Sequence, residues 1–206
     1  MSLVFAAIAP HPPIILPDVG SQEDRELVKN TIEKMDFLGK VLIEKKVQKI
    51  SISSPHPDWG FNVPLHFLAK DFDGEVQGIL TDSETPYDYF QKGKDFFEKE
   101  ITKSKTKHAF IASGDLSHSL KESAPNGFHP DGQKFDEELV NLLKEKDIDG
   151  ILKLDEKYPN AAQCGLGSIC FLLGVLEKKG KYTPEILSYE APFGVGYLVV
   201  NFKLDE

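Results

Sequence analysis

Lys49-Ile50-Ser51-Ile52-Ser53-Ser54-Pro55-His56 reads as a β-branched strand that stops at a proline, with a histidine immediately after it. Leu3 to Ala9 shows the same order: a short apolar run ends at Pro10, and His11 opens the loop. Ala109 to Ser113 is another apolar strand, running into Gly114-Asp115-Leu116-Ser117-His118. Three histidines thus follow three strands. Working outward, Ser21 and Asp24 form a capping box, and Val28, Ile32, Met35 and Leu42 recur at helical spacing, predicting one amphipathic helix over about 22–46. Glu75 to Leu80 is a further strand, and Tyr87 to Ile101 a helix with paired aromatics. Gln133 to Lys146 and Asn160 to Lys179 read as helices, followed by strands Glu185 to Tyr189 and Gly196 to Phe202 around a Pro192-Phe193-Gly194 turn.

Strands alternating with helices define an α/β class, a three-layer arrangement with a mainly parallel sheet covered on both faces. The last two strands fit an antiparallel hairpin at one side, which makes the sheet mixed. Ligands of such sheets bind at the carboxyl ends of the strands, where His11, His56 and His118 should converge. At 206 residues nothing demands a second domain, so residues 1–206 are read as one. The apolar fraction of 40% and charged fraction of 28% exclude a disordered or fibrous chain. Apolar runs such as Ile169 to Leu176 are far too short to span a bilayer, and the N-terminus lacks a basic segment. A cytoplasmic protein with no membrane partner is expected. A net charge of -9 repels phosphate backbones, which argues against nucleic acid. Cys164 and Cys170, six residues apart in a presumed helix, point apart by about 120° and are expected to be free thiols.

Neutral imidazole is a common ligand for iron, zinc and copper, and the prolines around His11 and His56 stiffen both loops. Non-haem Fe(II) sites add one carboxylate to two histidines. Two residues compete as third ligand: Glu190, at the end of an apolar strand, and Cys164, read in the first turn of a helix whose dipole favours the thiolate. His118 is the proton-transfer residue, and Asp115 either orients it or caps the turn. His66, His108 and His129 are read as structural, although the loop of His129 is within reach of the site. Trp59, Phe61 and Phe193 either stack a planar substrate or form the core rim.

Ala9-Pro10-His11-Pro12-Pro13, Ser53-Ser54-Pro55-His56, the Ser113 to His118 run, Gln163-Cys164-Gly165 and the Ser188 to Tyr197 run resemble, in order and spacing, class III extradiol ring-cleavage dioxygenases of the LigB type. Within that family the chain is most similar to the short LigB-like domain of the AmmeMemoRadiSam group, often fused to an AMMECR-type domain that is not seen here, and to the Memo proteins. The resemblance implies one Fe(II), cleavage of a catechol-like aromatic beside its hydroxyls with O2, His11 and His56 as ligands, and His118 as acid and base. Ring-cleaving members place a glutamate on a late helix where this chain has Cys164, as the Memo proteins do. Thiolate donation admits zinc or copper instead of iron. A metal-binding accessory protein working beside a radical-SAM-type partner is therefore a second expectation, metal-dependent hydrolysis a third, and a homo-oligomer is compatible with either.

Overall fold

The computed structural model describes residues 3–70 and 72–205. Among the described residues six strands form one sheet: β1 (Leu3–Ala9), β2 (Lys49–Ser54), β3 (Glu75–Leu80), β4 (His108–Ser113), β5 (Tyr182–Glu190) and β6 (Tyr197–Leu204). Their order is β3-β2-β4-β1-β6-β5. The first four run parallel, and β6 is antiparallel to both of its neighbours, as the hairpin reading expects. A likeness of register fixes where these strands stop. Ala9 pairs with Ser113, and Ser53 with Ala112, so the chain leaves β1, β2 and β4 along one edge.

Side chains alternate across β1 because successive residues of a strand face opposite ways. Ala6 and Ile8 enter one apolar layer, with Phe110, Ala112, Phe135, Leu139 and the helix carrying Ile169. Phe5, Ala7 and Ala9 enter the other, with Met35, Leu38, Leu42, Ile52 and Ile111. The strands at the centre are buried on both faces, which is why they read as apolar runs rather than as alternating ones.

Helices α1 (Gln22–Leu27) and α2 (Lys29–Glu44) replace the single helix expected over 22–46. The capping box of Ser21 and Asp24 is present, but the buried Val28, at φ -117° and ψ 23°, breaks the helix after its second turn. α3 (Trp59–Leu68) was not foreseen, since Pro64 lies within it. α4 (Pro86–Phe96) continues as a single π-helical turn, Phe97–Ile101, and together these cover the helix expected from Tyr87. α5 (Pro130–Glu145) matches its expectation, and the short α6 (Ile148–Ile151) and α7 (Leu154–Lys157) follow it. α8 (Leu166–Lys179) begins six residues later than the pattern suggested, which changes the setting of Cys164. Both cysteines are free, and among the described residues no helix is long and apolar enough to cross a membrane.

α4 and α8 meet backbone to backbone. A Cβ at Gly93 would stand 2.0 Å from the Phe171 carbonyl oxygen, and one at Gly174 would stand 2.0 Å from that of Phe90. Alanine in a helix normally gains about 1 kcal/mol over glycine. At Gly174 the steric conflict outweighs that gain, so Gly174→Ala is expected to lower unfolding free energy by about 1–3 kcal/mol in urea titrations.

Candidate metal centre

His11 and His56 leave the ends of β1 and β2 on proline-flanked loops, and Cys164 comes from the segment ahead of α8. One ligand-type atom from each lies within 4.8 Å of the others. The His11 Nε2 to Cys164 Sγ distance is 3.5 Å, and the His11 and His56 ring centroids are 5.3 Å apart. No other group of three such side chains is this close among the described residues.

Hydrogen bonding settles which nitrogen of His11 is free. The Ser113 hydroxyl donates its one proton to the Gly60 carbonyl, so at 2.9 Å from His11 Nδ1 it can only accept. Nδ1 therefore carries the hydrogen, and Nε2 presents its lone pair toward Cys164. Such a partner on the far nitrogen is what orients a ligating imidazole. Burial, with smaller contributions from the neighbouring His56 and His118, lowers the His11 pKa to about 3, so the ring is neutral at physiological pH. His118 follows the same logic: its Nδ1 lies 2.7 Å from the Ala162 carbonyl, which only accepts, leaving Nε2 as a free base. Burial lowers its pKa as well. Ala162 holds a left-handed φ of 53°, rare for a residue with a Cβ, and its carbonyl faces the His118 Nδ1.

Cys164 is not in the first turn of a helix. The amides of Cys164 and Gly165 bond the Asp115 carbonyl at 3.4 and 2.9 Å, and α8 starts only at Leu166. Burial and the neighbouring Asp115 push the thiol pKa up rather than down. The loop is held by Gly114 and Gly165, whose backbones approach so closely that a Cβ on Gly114 would stand 2.2 Å from the Gly165 Cα. Glu190 lies outside the cluster. Its carboxylate accepts from the amide and hydroxyl of Thr31 at 2.6 and 2.5 Å, capping the first turn of α2, which has no cap of its own from Val28. Of the two competitors for the third position, the structure brings Cys164, not Glu190, to the two histidines.

Asp115 neither bonds His118 nor caps a helix. Its Oδ1 accepts from the His11 amide at 2.9 Å, and desolvation raises its pKa to about 7. His11, His56, Asp115 and His118 share a cleft of about 500 Å³ with Trp59, Phe193 and Tyr197. Of the three aromatics noted in the sequence, Trp59 and Phe193 border this cleft, whereas Phe61 packs over Gly78. His129 caps α5 by accepting from the Asp131 amide, and His108 bonds Ser51 inside the sheet.

Sequence reasoning missed Ser113, Gly60, Ala162 and Asp136. The first two mark themselves only through contact. Asp136 stands at a core position of α5, and a carboxylate on the apolar face of a helix is a readable signal. It accepts from the Ser117 amide at 2.9 Å and from the Tyr189 hydroxyl at 2.6 Å, steadying the loop that ends in His118.

The fold and site define an α/β protein with two imidazoles and a thiol gathered at the carboxyl edge of its sheet, beside a third histidine, His118. The model of the catalytic LigB subunit of aromatic ring-opening dioxygenase matches residues 40–200, and the chain belongs to the LigB family. That span contains His56, Asp115, His118 and Cys164, while His11 precedes it. Protein CA_C1420 of Clostridium acetobutylicum is 29% identical over 274 aligned positions. The match takes in 98% of this chain and 58% of that protein, so the chain spans under two thirds of its relative's length. The crystal structure of the uncharacterized protein JW3007 from Escherichia coli K12 shares the fold, with a TM-score of 0.65 at 16% identity, covering 96% of this chain and 99% of that one.

Desolvation raises the Asp136 carboxyl from 3.8 to about 6. Between those values the folded state holds a proton that the unfolded state has released, so stability falls as pH rises through the interval, by on the order of 3 kcal/mol in all. Asp136→Asn keeps an acceptor for Ser117 and is expected to remove that share of the pH dependence. Asp136→Ala leaves two donors unpartnered and should cost about 1–3 kcal/mol at pH 7. Thermal unfolding across pH 4–8 reads both.

Proposed function

We propose that the chain is a metal-dependent oxidoreductase of the dioxygenase type, holding one Fe(II) between His11 Nε2, His56 and Cys164 and opening a catechol-like ring with O2. The observation that carries this reading is the convergence of three donors within 4.8 Å beside the free Nε2 base of His118. The donor set fits a cation: His11 is neutral with its lone pair aimed inward, and Cys164 is a buried thiol whose ionisation needs a nearby positive charge. Two imidazoles and one thiolate also suit zinc or copper. When bound, such a metal supplies Lewis acidity and open positions for the two ring oxygens and for O2.

The protein's own contributions follow from the cleft. Trp59 and Phe193 provide apolar walls for a planar ring. His118, neutral at pH 7 because its pKa is lowered by burial, takes a substrate hydroxyl proton at Nε2 while Ala162 holds its Nδ1–H. The same nitrogen returns a proton as the ring opens. One carbon–carbon bond beside the hydroxyls breaks, both atoms of O2 enter the product, and the ring supplies the electrons, so no further reductant is needed. Asp115 keeps the His11 backbone in place.

Cys164 in the cluster supports a second reading, a metal-binding accessory protein that keeps the site without ring cleavage and works beside a radical-SAM-type enzyme. The two separate in one experiment: anaerobic reconstitution with Fe(II), metal quantification, then oxygen uptake with a panel of catechols. Oxygen uptake with a yellow ring-opened product supports the dioxygenase. Stoichiometric metal without oxygen uptake supports the accessory protein.

His11→Ala, His56→Ala and Cys164→Ala are each expected to abolish stoichiometric metal binding, and full retention in all three would sink the metal site. Glu190→Gln should leave metal content unchanged, since the side chain is engaged at Thr31. His118→Gln is expected to keep the metal and lower turnover by a factor of about 10²–10⁴, the usual contribution of a positioned acid or base.

A further inference from the structure

We propose that the cleft selects an uncharged ring, an adjacent diol whose other substituents are apolar, and discriminates against the same ring carrying a carboxylate. The proposal rests on the metal-site reading above and narrows its substrate class. Among the described residues that line the cleft there is no lysine or arginine. The groups able to meet ligand oxygens are the three histidines, Asp115 and Tyr197, while the remaining wall is Ile14, Trp59, Pro125, Phe193 and Val195 with two prolines beside His11. A ring whose two neighbouring oxygens are held at a metal that His11, His56 and Cys164 would bind turns its other substituents away from those residues, onto this apolar wall.

A carboxylate delivered there loses water and gains no cation, and unpaired charge in an apolar setting is costly. The surrounding field adds to the penalty, because the chain carries a net charge of -9. Lys121 packs its stem against Gly194 but donates its ammonium to the Pro192 carbonyl, and it is not part of the lining. An apolar substituent, in contrast, gains from covering Phe193 and Val195.

A matched pair of probes isolates charge from size: methyl 3,4-dihydroxybenzoate and 3,4-dihydroxybenzoate. The chain is first loaded with Zn(II), which binds rings without turnover, and its metal content is measured. Each probe is then titrated by calorimetry at pH 7, with the fluorescence of Trp59, the sole tryptophan, as a second readout of occupancy. The ester is expected to bind at least about tenfold more tightly than the acid, a difference of about 1.4 kcal/mol. Pro125→Arg places a cation at an exposed position of the lining and should close or invert that gap while metal content stays unchanged. Metal-loaded protein that binds the acid as tightly as the ester, or binds neither, overturns the proposal and leaves the metal site standing. Protein that takes up no metal sinks both.

Discussion

The shared stopping line of β1, β2 and β4 is the constraint on which the site depends. Parallel strands hydrogen-bonded in register cannot slide by one residue without exchanging their faces, and both faces here are buried. With Ala9 opposite Ser113 and Ser53 opposite Ala112, the loops of His11, His56 and Asp115 must start side by side. The proton on His11 is set by the same register. Ser113 closes β4 beside the end of β1, and its hydroxyl bridges His11 Nδ1 to the Gly60 carbonyl of α3. One serine thus ties three elements together and turns the imidazole lone pair toward Cys164.

Much of this was legible because burial writes itself strongly into short strands. Leu3–Ala9, Lys49–Ser54 and Glu75–Leu80 were bounded to the residue, since proline and glycine punctuate their ends and no helical pattern competes. The strand-proline-histidine order needed no knowledge of contacts. α3 escaped because Pro64 looks like a breaker; the amide it lacks would have bonded the Gly60 carbonyl, which instead accepts from the Ser113 hydroxyl. The split at Val28 escaped because a buried valine extends an amphipathic pattern whether or not the backbone continues through it.

The third donor shows where a linear reading stops. Cys164 and Glu190 were both plausible by residue type, and only tertiary partners distinguish them. Thr31 binds the carboxylate of Glu190 because α2 begins after a break and its first turn lacks a side-chain cap. Cys164 was placed in a helix because Pro159 and Asn160 read as a helix start just ahead of it. The amides there instead wrap the Asp115 carbonyl, made accessible by the Gly114–Gly165 contact, a pairing across about fifty residues that no local pattern encodes.

A thiolate in place of a carboxylate keeps the formal charge of the donor set while making it softer. With a metal bound, the site would hold two imidazoles and one anion, and the preference among metals would shift without a change in net charge. The buried thiol, the neutral His11 and the carboxyl of Asp115 raised to about 7 share one cause, since each sits where ions lose water and no protein cation replaces it. A bound divalent ion would reverse the cost for the thiol and the carboxyl at once, because it supplies the missing positive charge beside both. The same lack of cations extends to the apolar wall of Ile14, Pro125 and Phe193, beyond the donors. The proposed metal affinity and ring selectivity thus trace to a single physical circumstance: a sheet edge where desolvation is severe and the described residues of the lining supply no lysine or arginine.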